Sequence, residues 1–238
     1  MRIQAACVIY GNNLSLLVRS NMKIQGVTES VLSHLRQKII TAELPPDSKL
    51  NEIELADLFG VSRPPLREAF RKLENENLIL SVPRKGSYVS GVSQEDCMQI
   101  YRARVMLECG AIDIIGEQGL DVIEKLEKTL AKEKEFVPPA HPSLEDMPTF
   151  FKVMSRFHNT LMECCGNRWI VHFYKQQQSS MARYQIMYLR LPGSRNASQE
   201  EHEKVFKLIK ANALEEAKKE ISQHILKTRD ALIDRIGK

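Results

Sequence analysis

The chain has few aromatic residues and few cysteines, and it lacks any long apolar run. Aromatic side chains make up 6% of its 238 residues, so the stacking platforms typical of proteins that bind single-stranded RNA are missing. The five cysteines form no CxxC pair, which argues against a zinc-finger core or a disulfide framework and fits a reducing cytoplasm. No stretch approaches the roughly 18 apolar residues needed to cross a bilayer, so no membrane partner is expected.

Charge and length describe an ordinary globular protein. The 34 Lys and Arg residues against 30 Asp and Glu residues give a net charge of +4, which is too weak by itself to indicate a nucleic-acid partner. The length suits one large domain or two small ones. We expect residues 1–23 to be an extension outside the fold, residues 24–92 to form one domain, and residues 93–238 to form a second, helical domain.

Three helical segments and a hairpin follow one another in the first third of the chain. Residues 27–41 carry one apolar stripe at helical spacing, and a short helical run over 51–59 ends at Gly60, a residue suited to the left-handed position after a helix. A further helix follows directly, and a tight glycine-containing turn between two short helices is typical of a helix-turn-helix. Residues 78–80 and 87–89 are predicted as two strands joined by a basic tip, a wing.

The run LNEIELADLFGVSRPPLREAFRKLENENLI, followed by PRKGSYV, resembles the winged helix-turn-helix of GntR-type bacterial transcription regulators. The resemblance covers residues 24–92. It implies a transcription regulator, in most family members a repressor, that binds double-stranded operator DNA as a homodimer. Such a dimer matches an operator with two-fold symmetry.

Basic side chains lie on the helix that follows the turn. Arg63 lies at its N-terminus and Arg67 one turn later, where a recognition helix meets base edges, and arginine reads guanine through O6 and N7. Ser62 lies at or just before the N-cap, where free backbone amides can hold a phosphate. The alternative is a solvated helix face. Arg71 lies further along the helix and is expected to contact phosphates, and the basic wing tip is suited to the minor groove. The predicted DNA-binding residues are Ser62, Arg63, Arg67, Arg71, Arg84, Lys85 and Gly86.

Two positions depart from the family pattern. Pro64 stands where a small hydroxyl residue is common, and because proline disfavours helical backbone at the residue before it, we expect the helix to begin one residue after Arg63. Ile53 stands where many family members carry an arginine, so one DNA contact is expected to be missing. Both departures affect which operator is recognised rather than the mode of DNA binding.

From Ser93 onward the sequence predicts helices only. Apolar residues recur at helical spacing over 95–116, 120–135, 147–165, 169–191, 199–211 and 214–236, with a proline-rich bend over 136–143. The predicted fold class is therefore mainly α. A winged helix-turn-helix of three helices and a small β-hairpin is followed by an all-α antiparallel bundle.

Three histidines, His158, His202 and His224, fall on predicted helices of this bundle. If the helices on either side of Asn212 fold back on each other, His202 and His224 lie roughly 15 and 18 Å from the turn and can face each other. Imidazole is the commonest metal ligand, although a lone helical histidine is more often a surface or core residue. Three histidines with an open position could also activate water as in a metalloenzyme. No base can be identified beside them, so no enzyme is predicted.

The segments RARVMLECGAI, RFHNTLMECCGN and EEHEKVFKLIKANALEEAKKEISQHI resemble the FCD effector-binding domain of the FadR subfamily. The resemblance implies that the three histidines and an aspartate hold a divalent metal (zinc, nickel or manganese) in the floor of an effector pocket. Met154 occupies the aspartate's position, and a thioether is a poor ligand for these metals. Three alternatives stay open: zinc on three histidines plus water or effector, a substitute carboxylate, or a metal-free pocket in which the histidines bind the effector.

The effector implied by the resemblance is a small organic acid that shifts the DNA-binding equilibrium, and an effector-independent regulator is the alternative. Arg104 lies in the R-x-x-L-E element of the family, where a buried guanidinium could clamp a carboxylate. It could instead form an i,i+4 pair with Glu108 that braces the helix. Arg183, Tyr184 and Tyr188 are further pocket candidates.

Overall fold

The computed structural model describes residues 26–118, 121–137, 143–191 and 194–236, and the extension expected at residues 1–23 lies outside them. The chain divides into two compact units, with the boundary between Gly91 and Val92. We refer to them as the N-terminal unit and the C-terminal unit. Within the described ranges, no helix is both long and apolar enough to span a membrane.

The N-terminal unit combines three helices with three short strands. Its elements are α1 (Val27–Ile40), β1 (Lys49–Leu50), α2 (Glu52–Phe59), α3 (Arg63–Asn75), β2 (Ile79–Val82) and β3 (Gly86–Val89). Helix α3 packs against α1 and α2. Leu35, Leu66 and Leu73 are completely buried between them, so the apolar stripes seen in the sequence form the core of this unit.

The wing is an antiparallel sheet with the strand order β1-β3-β2. Val82 pairs with Gly86 at the tip, and Leu50 of β1 pairs with Ser87. The sequence predicted only the hairpin of β2 and β3. Strand β1 was missed because two residues are too few to show an alternating pattern.

The turn between α2 and α3 follows from its residues. Gly60 ends α2 with a φ of 64°, a left-handed conformation that glycine adopts without steric cost. Helix α3 begins at Arg63 with Ser62 as N-cap, and the Ser62 side chain makes no capping hydrogen bond. The expectation that the helix begins one residue after Arg63 is therefore wrong. The prolines lie in the first turn, where the missing N–H groups have no helical acceptor.

The residues described for the C-terminal unit form helices and the connections between them, without a strand. Its elements are α4 (Gln94–Gln118), α5 (Asp121–Glu135), a short 3-10 helix (Leu144–Asp146), α6 (Met147–Cys164), α7 (Arg168–Leu189), α8 (Ser194–Lys210) and α9 (Leu214–Ile236). Helix α9 packs along α4 and α8, and α6 contacts α4, α5 and α7. These bounds agree with the predicted helices to within a few residues, apart from the start of α8.

A short turn over residues 211–213 joins α8 to α9, and Asn212 in it has a φ of 56°. Asparagine tolerates this left-handed conformation better than most residues. Because α8 and α9 pack against each other, the turn brings the histidine of each helix to the same part of the unit.

Candidate functional site

His158 of α6, His202 of α8 and His224 of α9 form one buried cluster. The Nε2 atom of His158 lies 3.1 Å from that of His202 and 3.3 Å from that of His224. The three imidazoles are between 1% and 5% exposed. The structure therefore brings His202 and His224, which sequence spacing allowed to face each other, into one cluster with His158, which the family resemblance added.

A glutamate stands behind each of these imidazoles. The Nδ1 atom of His158 lies 2.7 Å from a Glu108 oxygen, that of His202 lies 3.0 Å from Glu133, and that of His224 lies 2.7 Å from Glu201. A neutral imidazole that donates from Nδ1 keeps its lone pair on Nε2. We name these six residues the histidine centre. With each ring donating from Nδ1 to its glutamate, the Nε2 lone pairs are directed to the middle of the cluster.

Burial keeps two of the imidazoles neutral. It lowers the pKa of His158 well below its usual value, and the charges of Arg104 and the neighbouring histidines act in the same direction. Burial also lowers the pKa of His224 to about 4, although the hydrogen bond with Glu201 opposes it. Burial raises the pKa of Glu201, but hydrogen bonds from His224 and Lys227 outweigh it and bring that pKa to about 2. Neutral imidazole is the form that binds a metal.

A cavity of about 30 Å³ lies against the three imidazoles. Its wall includes Arg104, Met154, Gln185 and Tyr188. The Arg104 guanidinium donates from Nε to Glu108 at 2.7 Å, while its Nη2 atom and the Oε1 atom of Gln185 are buried without a hydrogen-bond partner among the described residues. A cavity of this size holds a water molecule or an ion, so a larger ligand enters only if side chains in the wall move.

The structure separates the predicted effector residues into two groups. Arg104 lines the cavity. One carboxylate oxygen of Glu108 accepts a hydrogen bond from Arg104, which is the expected i,i+4 pair, and the other oxygen contacts His158. Arg183 and Tyr184 are buried in α7 but are not among the described residues that line the cavity. The Tyr184 hydroxyl instead donates to Asp96 at 2.6 Å.

Sequence reasoning missed three residues of this region, namely Glu133, Glu201 and Gln185. It also found no carboxylate beside the histidines, whereas the structure places three there. All three contact Nδ1 atoms, on the opposite side of each ring from Nε2. The sequence carried no sign of these contacts, because glutamates are common on exposed helix faces.

The predicted DNA-binding residues lie on exposed parts of the N-terminal unit. Arg63, Arg67 and Arg71 line one shallow depression of α3 together with Pro64 and Glu68. Such a row of guanidinium groups on one side of a helix suits a groove of DNA.

The tip of the wing is exposed and basic. The Lys85 amide donates to the Val82 carbonyl oxygen at 3.0 Å and closes the turn. Arg84 has a φ of 63° and Gly86 a φ of 104°. Glycine accepts such a conformation easily, whereas an arginine there is strained by about 1 kcal/mol. Arg84 thus keeps a charged side chain at a position where the backbone favours glycine.

Two family models match the chain. The model for bacterial regulatory proteins of the gntR family matches residues 27–89, which contain the winged helix. The model for the FCD domain matches residues 99–227, more than half of the chain, and this range contains the three histidines.

Individual proteins give the same result. The chain is 28% identical over 195 residues to the HTH-type transcriptional regulator YdhC of Bacillus subtilis, covering 81% of this chain and 84% of that protein. It is 26% identical over 161 residues to the gluconate operon transcriptional repressor of Bacillus licheniformis, covering 67% and 64%. Its fold is similar to that of a GntR regulator from Rhodococcus, with a TM-score of 0.67 at 18% identity over 87% of this chain and 97% of that one. These findings confirm the predicted fold class and a regulator rather than an enzyme.

Proposed function

Since the chain belongs to the GntR family of bacterial transcription regulators and carries an FCD domain, we propose that it represses transcription under the control of a small organic acid. It binds a two-fold operator as a homodimer through α3 and the wing. The acid binds in the C-terminal unit beside a divalent metal. Repression is supported by the names of three relatives, which are called transcriptional repressors.

The convergence of three Nε2 lone pairs carries the proposal of a metal. Two nitrogens on a tetrahedral zinc ion with bonds of about 2.0–2.1 Å are roughly 3.3 Å apart. The Nε2 atoms of His202 and His224 lie at close to this distance from that of His158, 3.1 and 3.3 Å, and the three ligand atoms of the cluster all lie within 4.8 Å of one another. Two lone pairs at this distance repel each other unless a proton or a metal ion lies between them. A proton joins two rings as donor and acceptor, whereas a metal ion accepts all three lone pairs. The glutamates at Nδ1 fix the ring orientations, as carboxylates commonly do for metal-binding histidines.

Met154 leaves the metal with three protein ligands. The glutamates of the histidine centre are held at Nδ1 and do not supply a replacement for the family's aspartate. Zinc accepts three protein ligands with a further position for water or another ligand. When bound, the ion supplies a positive charge and a coordination position that attract an effector oxygen.

Two buried polar atoms without a partner indicate which functional groups the effector carries. Arg104 Nη2 is a buried donor and Gln185 Oε1 a buried acceptor, both on residues of the cavity wall. Buried polar atoms are costly unless paired. An acid that offers a carboxylate to Arg104 and a hydroxyl hydrogen to Gln185 satisfies both. Because the cavity has only about 30 Å³, binding must shift its walls, and this movement can alter DNA affinity by the usual ~1–3 kcal/mol of allosteric coupling.

Metal analysis of the untagged protein tests the centre. We expect about one zinc, nickel or manganese per chain in the unchanged protein and none in His158→Ala. His172 is exposed on α7, so His172→Ala is the matched control and should keep its metal. If no metal is bound after reconstitution with each ion, the proposed metal site is contradicted. The histidines would then bind the acid directly.

A comparison of 2-hydroxypropanoate with propanoate tests the effector class. The hydroxy acid should raise the melting temperature more, and Gln185→Met should remove the difference between the two acids. Equal effects of both acids on the unchanged protein contradict the role of Gln185. Failure of a broad panel of organic acids to alter stability or operator affinity contradicts an acid effector.

A further inference from the structure

Glu52 and Arg67 connect the two helices of the helix-turn-helix. Glu52 is the first residue of α2, and one of its carboxylate oxygens accepts a hydrogen bond from Arg67 Nε at 2.9 Å. The Arg67 side chain is 61% exposed. Neither Arg63 nor Arg71 forms an ion pair with any described residue, although both line the same depression. Glu52 therefore anchors one arginine of this row and leaves its neighbours without such an anchor.

The position of the contact leaves the outer end of the guanidinium available. An arginine has five N–H donors in a planar fork, and Glu52 accepts from Nε, at the inner end. Both terminal nitrogens can still donate to a guanine, whose O6 and N7 atoms form the usual bidentate partner of arginine. An exposed arginine also loses considerable rotamer freedom when it binds, and an anchored one loses less.

The carboxylate is otherwise unfavourable on a surface that meets DNA. It repels phosphates, and an exposed ion pair contributes little to stability. A carboxylate in the first turn also favours the helix dipole, but Glu54 supplies one there as well. What distinguishes Glu52 is its contact with Arg67. Resting on the proposed role of Arg67 in DNA binding, we propose that Glu52 is a positioning residue that fixes the Arg67 fork for a guanine of the operator.

Selection from a randomised DNA duplex pool tests this with the full-length protein. Glu52→Ala is compared with Glu54→Ala, because both remove one carboxylate from the first turn of α2 and differ in contact with Arg67. Sequencing of bound duplexes gives the base preference at every position. Fluorescence anisotropy then measures discrimination between the selected duplex and one with the guanine replaced.

We expect Arg67→Ala to lose a guanine preference of roughly 5- to 160-fold at one base pair of each half-site. Glu52→Ala should lose most of that preference, while its affinity for unrelated DNA stays equal or rises because a negative charge is gone. Glu54→Ala should keep the preference. Glu52→Gln, which retains an acceptor oxygen, should restore part of it.

Three results overturn the inference. The first is a Glu52→Ala variant that keeps the full guanine preference, and the second is one that weakens binding equally at every position, as the loss of a merely structural residue would. The third is an Arg67→Ala variant that leaves every base preference unchanged, which contradicts the proposed contact between Arg67 and a base. If the unchanged protein selects no sequence at all, the proposed operator binding fails, and that outcome is distinct because it appears before any variant is compared.

Discussion

Acid should destabilise the metal-free C-terminal unit, because His158 and His224 are buried as neutral imidazoles. Burial lowers the pKa of His224 to about 4, whereas a histidine in the unfolded chain titrates near pH 6.5. Between these values the unfolded chain binds a proton that the folded chain does not. The free energy of unfolding is therefore unaffected by His224 above pH 6.5 and falls as the pH decreases toward 4.

The expected loss follows from this difference in pKa. Each such histidine contributes a slope of roughly 1.4 kcal/mol per pH unit, so His224 alone costs about 2 kcal/mol between pH 6.5 and 5. Burial also lowers the pKa of His158 well below its usual value, so this residue contributes in the same direction. Glu201 does not contribute in this window, since its pKa of about 2 affects stability only below the unfolded glutamate value of about 4.3.

Urea unfolding of protein treated with a chelator measures the effect. The fluorescence of the single tryptophan, Trp169 on α7, reports on the C-terminal unit. His224→Gln should reduce the pH slope by roughly 1.4 kcal/mol per unit, and His172→Gln should not change it. A free energy of unfolding that is constant from pH 6.5 to 5, or an equal slope in His224→Gln, refutes the reasoning.

Three further variants address the wing, the core and the histidine centre. Arg84→Gly should stabilise the N-terminal unit by up to about 1 kcal/mol yet weaken DNA binding in anisotropy titrations, and a loss of stability contradicts the strain at this position. Phe157→Ala removes a fully buried ring that stacks on a histidine at 4.6 Å, and thermal denaturation should show a loss of about 3–5 kcal/mol. Glu108→Gln should weaken metal binding by about 10- to 100-fold in competition with a chelator. The exposed Glu117→Gln is its control, and equal affinities in the two variants would contradict the role of Glu108.

The sequence predicted the fold because helices and tight turns depend on residues close together in the chain. The apolar period of residues 27–41 predicted α1, and Gly60 marked the end of α2. Features that depend on distant or very short segments were missed or misplaced. Strand β1 has two residues and exists only because it pairs with β3, and α3 begins at Arg63 despite the proline that follows.

The residues of the histidine centre also fall into those that the sequence identified and those that only the structure showed. The sequence by itself determined the three histidines, through their helical positions and the family resemblance. Only the tertiary structure decided which groups hold them, since Glu133 lies 69 residues from His202 and Glu201 lies 23 residues from His224. A glutamate on a helix is exposed in most proteins, and burial against an imidazole depends on how α5, α6, α8 and α9 pack. Sequence periodicity determines the face of its own helix on which a residue lies. Which side chain of another helix contacts that face depends on how the helices pack.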